Sequence, residues 1–485
     1  MAEGKIDKKG YIVMAIVSTG IFMCNIDASM VNIALPSLAK VFNVSTSMVS
    51  RISLLDLLAI TSFVLVFGSL SDIKGVDRIF ALGFIISASS SLLCGLSPDI
   101  NILLIFRFIH GIGEAMILST YGAIIVANIH SDIRGRAFSF TSVIGGIALA
   151  AGSFFGGIFL KYLSWQWIFL SNIPFGIAGI ILVRSFLQGE KNNNKIKNQP
   201  FDFPGAVFSF LGLFTLLYAL NMGEENGWKS GITIGSFVIA LIFIILFITW
   251  EKKQEFPMLN FSIFHNLSFT VALLGDFVVL MTLEGCNFLF PFYFDCAHGF
   301  TTTKISFLMM IYPVLSTVMS PLAGVMSDKY GKPRIICIFA MIFVIISSIM
   351  FTLLGITPSM AYIVFSLIIF GTSITFFFTA NTCFEMSQVS PQEEGITSAI
   401  ISFTSNLASV VGICLFETVY SLNFSYSTPG KTHINIPPAV HIEGFHNACY
   451  FAAIICAVGL AGMVLIKPEK SARSKTIIRL KTGRF

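Results

Sequence analysis

Seven ionisable side chains lie deep in apolar surroundings: Asp27, Asp56, Arg107, His110, Glu114, Asp276 and Glu284. A charge held in hydrocarbon is costly, so such residues face a watery cavity or a partner and handle protons, ions or charged cargo. Arg107, His110 and Glu114 follow the spacing i, i+3, i+7, which sets them on one face of a helix. Desolvation favours the neutral form of Glu114 and a nearby guanidinium favours the charged form. That balance lets a carboxyl take and release a proton as its access to water changes. Asp276 and Glu284 are two turns apart on one helix, and Gly285 gives a neighbouring group room to approach Glu284. The alternative for each acid is a fixed ion pair that only joins helices, and for His110 a hydrogen-bonded packing role. Asp295, Glu385 and Glu417 fall near predicted helix ends, where solvated or capping roles are expected, and Lys161 and Lys304 read as snorkelling anchors. No nucleophile–base set or metal-ligand cluster is visible, and the nine cysteines form no CxxC pair. Neither an enzyme, a cofactor nor a metal site is therefore expected.

These residues need a membrane scaffold. The 485-residue chain is 55% hydrophobic and 11% charged, with a mean hydropathy of +0.85. A soluble domain carries about 25% charged residues, so a water-facing surface cannot be built here and soluble enzyme folds are excluded. The net charge of +5 comes with no basic run interleaved with aromatics, which excludes nucleic acid as a partner. At about 20 apolar residues per crossing, fourteen spans are predicted: 11–35, 47–70, 79–97, 101–127, 137–160, 166–187, 204–222, 231–249, 268–296, 303–327, 335–355, 360–386, 395–421 and 447–466. Short connections and the lack of a period-two pattern point to a helix bundle rather than a barrel. The fold class is an all-α polytopic membrane protein. Of the 30 Lys and Arg residues, 23 fall on the side holding both termini, 6 on the other, and Arg107 inside a span. Positive charge is retained on the cytoplasmic side, so a multi-pass protein of the cell membrane with both termini cytoplasmic is expected. The first apolar run is too long for a signal peptide and lacks a cleavage pattern, so it reads as a retained helix. At 1.5 Å per residue, Asp27, Asp56 and Arg107 share a layer roughly 9–14 Å below the outer boundary.

An internal repeat organises the chain. Gly68, Asp72, Gly75 and Arg78 recur as Gly324, Asp328, Gly331 and Arg334, and Asp27 has a near counterpart in Glu284. The register implies a six-helix half at 1–187, a linker with two additional helices at 188–267, and a second six-helix half with its tail at 268–485. Transporters are commonly built from such repeats, with the substrate site at their interface. In each repeated turn the Asp can sit near a helix N-terminus and the Arg can pair across the half, a latch that holds one conformation. The alternative is simple turn chemistry. Gly145, Gly146, Gly152, Gly156 and Gly157 permit close helix packing. Residues 422–446 form the longest outer loop, where His433, His441 and His446 read as solvated rather than metal-binding. Asn423 heads a glycosylation-type triplet.

Several stretches resemble the major facilitator superfamily, in particular its fourteen-helix drug:proton antiporter branch. Gly68–Arg78 resembles the superfamily's most widespread loop signature, with Ile73 in place of a basic residue. Asp27–Pro36 resembles a first-helix motif of the branch. Arg107, Gly111 and Gly113 resemble a fourth-helix arginine motif, with His110 where glutamine is usual. Gly152, Gly156 and Gly157 resemble a fifth-helix antiporter motif in which Ser153 replaces proline. Trp165–Pro174, including Asn172, is similar to a fourteen-helix signature with Gln166 in place of arginine. The resemblance implies that the first and fourth helices line a central cavity where Asp27 and Arg107 meet, that the glycine-rich fifth helix gates it, and that the protein is a monomer. It further implies efflux of small lipophilic, cationic compounds against protons by alternating access. Phenylalanines lining the cavity would suit flat cations. A dedicated transporter of one metabolite, lipid or siderophore is the alternative, and a non-transporting membrane sensor the third.

Overall fold

The computed structural model describes residues 8–129, 134–186, 202–227, 229–254, 264–330, 333–355, 358–388, 394–427 and 437–465. Its regular elements are all helical: α1 (Lys8–Phe42), α2 (Thr46–Lys74), α3 (Val76–Gly95), α4 (Ile100–Asn128), α5 (Arg134–Tyr162), α6 (Gln166–Leu170), α7 (Asn172–Phe186), α8 (Phe203–Asn226), α9 (Gly231–Glu251), α10 (Leu267–Phe292), α11 (Thr302–Met309), α12 (Ile311–Tyr330), α13 (Pro333–Thr352), α14 (Met360–Ser387), α15 (Glu394–Ser427) and α16 (Pro438–Leu465). Among the described residues, thirteen spans are long and apolar enough to cross a membrane. The fourteenth, α2, is 29 residues long but carries Arg51, Asp56 and Asp72.

Two predicted spans are each broken once, and the same chemistry explains both breaks. A proline ring collides with the carbonyl four residues before it. Pro174 stands four residues after Leu170, where α6 ends, and Pro313 four after Met309, where α11 ends. At the far end of α10, Pro291 is followed by a π-helical turn over Tyr293–Ala297 and by Gly299 at φ +61°. Many helices outrun their apolar windows. Among them α1 reaches Phe42, α15 reaches Ser427, and α16 starts at Pro438.

The chain divides into two compact units. The first comprises residues 1–258, 299–310 and 431–435. In it α4 packs against α1, α2 and α3, α5 packs along α1, and α8 pairs with α9. Glycines set these approaches. A Cβ on Gly111 would collide with the Asp56 carbonyl and Ala59, and one on Gly113 would come within 2.6 Å of the Ser87 nitrogen. Phenylalanines tie α8 to the rest, with Phe63 and Phe210 ring centroids 4.8 Å apart and Phe108 and Phe214 6.3 Å apart. The outward face of α9 is a stripe of exposed Ile232, Val238, Leu241, Ile242 and Ile245, a surface for lipid and not for water.

The second unit comprises residues 259–298, 311–430 and 436–485. Here α10 packs against α14, α15 and α16, and α13 against α14 and α16. Its centre is aromatic: Phe290 lies 5.1 Å from Phe351 and 5.9 Å from Phe445, which stacks on Tyr293 at 4.0 Å. Of the nine reduced cysteines, Cys383 alone is exposed, Cys296 is half-buried and the rest are buried.

Several expectations about connections are revised. His441 and His446 belong to α16 and not to a loop. His441 is buried with Nδ1 2.7 Å from the Tyr420 hydroxyl, and His446 Nε2 donates to the Leu354 carbonyl at 2.9 Å. His433 and most of the 188–203 linker lie outside the described residues, as do Gly331 and the side chains of Asp72 and Asp328. The first repeated turn is nearly all helix, and Gly68 sits inside α2. Only Gly75, at φ +99°, separates α2 from α3, and a left-handed backbone of that kind favours glycine. Arg78 is exposed, while Arg334 donates to the carbonyls of Met463 and Val464 at 2.9 and 3.0 Å, capping the end of α16.

Candidate functional site

The predicted face of α4 forms the centre of a buried polar cluster in the first unit. Arg107 is 1% exposed, and each of its nitrogens has an acceptor. One terminal nitrogen donates to Asp27 Oδ2 on α1 at 2.8 Å and the other to Asp56 Oδ2 on α2 at 2.7 Å. Nε donates to the Ile52 carbonyl at 3.2 Å. The planar guanidinium suits this forked arrangement, which an ammonium could not reproduce. Phe169 lies below it, with its ring centre 5.8 Å from the Arg107 carbon. Asp27 is fully buried, and its other oxygen accepts from the Asn172 amide at 2.5 Å.

His110 extends the network. Its Nδ1 is 2.9 Å from Asp56 Oδ1 and its Nε2 is 2.9 Å from Ser87 Oγ on α3. With the proton on Nδ1, the ring donates to Asp56 and accepts from the serine hydroxyl. With both nitrogens protonated, it donates to both. The two charge states therefore fit the same geometry, because the hydroxyl can reverse its bond.

Glu114 completes the face. It is buried, and among the described residues its Oε1 has no hydrogen-bond partner. Donor atoms of Asp27, His110 and Glu114 lie within 4.8 Å of one another. Three such ligands could hold a metal ion, but the guanidinium 2.8 Å from Asp27 already supplies a fixed positive charge there. The arrangement is better matched to a mobile proton than to a dication.

Most predicted site residues come together here: Asp27, Asp56, Arg107, His110 and Glu114 form one group. Asn172 and Ser87 belong to it too, and sequence reasoning did not single them out as site residues. For Asn172 a signal existed, since it sits in the Trp165–Pro174 signature. Ser87 gave none. The glycines of α5 lie beside the group: a Cβ on Gly152 would come within 2.7 Å of the Ile26 carbonyl, and Gly156 faces Met30. Gly157 instead faces Ser306 of α11. Ser153, standing where the resembling motif has proline, is 2.9 Å from Ser29 Oγ, and that hydroxyl also lies 2.7 Å from the Leu149 carbonyl.

The second unit separates its acids. Glu284 is half-buried with no ion pair among the described residues, and the Gly285 beside it is filled by the Phe416 ring. Asp276 is buried and accepts from Ser405 at 3.3 Å, so it does not join Glu284. Glu385 and Glu417, expected at solvated helix ends, are both buried. α15 continues to Ser427, so Glu417 lies well inside that helix, whereas Glu385 stands near the end of α14 and is buried on the side where the Asn381 amide donates to it.

Comparison with known proteins agrees with this geometry. The sequence profile of the Major Facilitator Superfamily matches residues 17–413. The riboflavin transporter RibZ of Clostridioides difficile is 28% identical over 96% of this chain and 99% of its own length. The multidrug export protein EmrB of Haemophilus influenzae is 26% identical over 90% of this chain and 85% of its own. Among solved structures, the xylose transporter XylE from E. coli superposes with a TM-score of 0.59 at 14% identity, covering 96% of this chain and 99% of that one. An all-α, multi-pass chain with a buried charge cluster on its first, second and fourth helices, matched along most of its length by that profile, is a member of the Major Facilitator Superfamily.

Proposed function

We propose that the protein is a proton-coupled antiporter, exporting small lipophilic, cationic compounds by alternating access between two six-helix halves at 1–187 and 268–485. The carrying observation is Glu114, a buried carboxyl with an oxygen that no described group satisfies, one turn from His110 and two from Arg107. Formal charge explains its role. Arg107 against Asp27 and Asp56 leaves one negative charge in excess, and a proton on His110 cancels it. No counter-charge then remains for Glu114, so it is neutralised by a further proton or by a cationic substrate, and the two compete. That competition is what an antiporter needs. A one-for-one exchange of a proton for a monovalent cation moves no net charge, so the pH gradient drives it: each pH unit contributes about 1.4 kcal/mol and holds a gradient of about tenfold. The likeness to EmrB, described as a multidrug export protein, supports this direction of transport. Gly152, Gly156 and Gly157 fit the gating role, and the cell membrane, with both termini cytoplasmic, is the proposed location.

A second reading rests on RibZ, described as a riboflavin transporter and matched over nearly its whole length. On it the cavity serves one metabolite. Proteoliposomes with an imposed pH gradient separate the readings when loaded in parallel with ethidium and with riboflavin. The first reading expects ethidium transport that Glu114→Gln abolishes. Full ethidium transport by that variant refutes the role of Glu114, and transport of riboflavin alone refutes polyspecific efflux.

A further inference from the structure

The second unit holds a buried acid pair that the proposed antiport does not use. Asp276 is on α10 and Glu385 on α14, two helices that run in opposite directions. Side chains on a helix lean toward its N-terminus, so the two carboxyls lean toward each other along the axes. They converge on Asn381. Its amide donates to the Ala272 carbonyl at 3.0 Å and to Glu385 Oε1 at 3.1 Å, and it lies within reach of Asp276 as well. Glu385 has no exposed surface, and among the described residues its Oε2 has no hydrogen-bond partner. An acceptor buried without a donor costs free energy unless something positive fills the place.

Among the described residues no cationic side chain is shown to do so. From α13 come Cys337, with Sγ 3.9 Å from Asn381 Oδ1, and Arg334, whose guanidinium is engaged by the carbonyls of Met463 and Val464. From α15 comes Ser405, donating to Asp276 at 3.3 Å, and from α16 the apolar Met463, beside Gly275. Lys329 at the end of α12 and His265 before α10 are exposed. Two carboxylates sharing a dry pocket cannot both stay ionised, and they titrate as a pair.

We infer that Asp276 and Glu385 form a second cation-binding site, separate from the Arg107 cluster, which holds one proton between them. It lies at the end of the second unit where α10 begins and α14 ends, the end that the Lys and Arg distribution assigns to the cytoplasm. The site gives the molecule a proton-binding element that needs neither Asp27 nor Glu114, and it adds a proton to the transport cycle.

The test is infrared difference spectroscopy of the full-length protein in liposomes, cycled between acid and alkaline buffer, in a Glu114→Gln, Glu284→Gln and Glu417→Gln background that removes the other candidate carboxyls. One protonated-carboxyl band is expected. Asp276→Asn and Glu385→Gln should each remove that same band, and the double variant should remove no more. Separate bands lost additively, or a band that neither variant touches, would overturn the shared proton. Replacing choline chloride with sodium chloride should leave the band unchanged, and suppression by sodium would reassign the site to that ion. Ser405→Ala keeps both carboxyls and guards against misfolded acid variants. It should move the band's titration midpoint by roughly half a pH unit, and an unmoved midpoint counts against the assignment. Because no substrate is involved, failure here leaves the antiport reading standing, and failure of antiport leaves this site standing.

Discussion

Replacing Arg107 with lysine tests whether the buried cluster holds α1, α2 and α4 together as one electrostatic unit. Arg107 satisfies two carboxylates and a carbonyl on three separate nitrogens, with its charged contacts at 2.7 and 2.8 Å. A lysine ammonium is a single point charge and can stay close to only one carboxylate, leaving the other buried and uncompensated. Breaking a buried pair in this way costs about 3–5 kcal/mol. Unfolding entropy of about 2 cal/mol/K per residue gives roughly 1 kcal/mol/K for a chain of 485 residues. Thermal unfolding of the purified variant in detergent should therefore fall by about 3–5 °C. The decisive comparison is the double variant Arg107→Lys with Asp56→Asn. Neutralising Asp56 removes the stranded charge, and the asparagine oxygen can still accept from His110 Nδ1. The double variant should regain at least about 1 kcal/mol over Arg107→Lys, a coupling typical of residues in contact. If Arg107→Lys melts with the parent protein, or if adding Asp56→Asn lowers stability further by its full independent amount, the cluster is not the electrostatic unit described here.

Three further outcomes are expected. Gly152→Val places a side chain where a Cβ already comes within 2.7 Å of the Ile26 carbonyl, so α5 must move off α1; a loss of about 1–3 kcal/mol from overpacking should appear as lower thermal stability and reduced ethidium efflux. Asn172→Ala strips Asp27 Oδ1 of its donor, costing about 1–3 kcal/mol in the same melting assay, with partial recovery in Asn172→Ser. Ser153→Pro frees the Leu149 carbonyl from its helical bond, but the Ser29 hydroxyl already sits 2.7 Å from that oxygen. The substitution should therefore cost clearly less than the roughly 3 kcal/mol usual for proline inside a helix, and a full-sized loss would refute the compensation.

How much of this was legible beforehand follows from the cost of burial. Charged residues in apolar spans announce themselves, so Asp27, Asp56, Arg107, His110 and Glu114 stand out in the sequence, and the structure brings them together. Depth along α1, α2 and α4 places Asp27, Asp56 and Arg107 in one layer, and spacing on α4 adds His110 and Glu114 on the same face. Neutral polar residues pay little in a span and leave no such mark, so Ser87 was invisible and Asn172 surfaced only through a signature. Glu385 and Glu417 were misread for another reason. Hydropathy locates the hydrocarbon crossing, whereas α15 continues beyond it and carries Glu417 into packed surroundings, and the Asn381 contact that encloses Glu385 leaves no mark in hydropathy. The breaks at Leu170 and Met309 fall inside runs of sufficient mean hydropathy for one crossing each, although Pro174 and Pro313 stand four residues downstream.

The uneven exposure of the thiols has a practical outcome. Since Cys383 is the accessible one and the others are mostly enclosed, the unmodified molecule already carries a near-unique attachment point for a fluorophore or spin label. That point lies two positions from both Asn381 and Glu385. Time-resolved labelling could thus follow local breathing of α14 in wild-type material, without first engineering a background stripped of sulfhydryls.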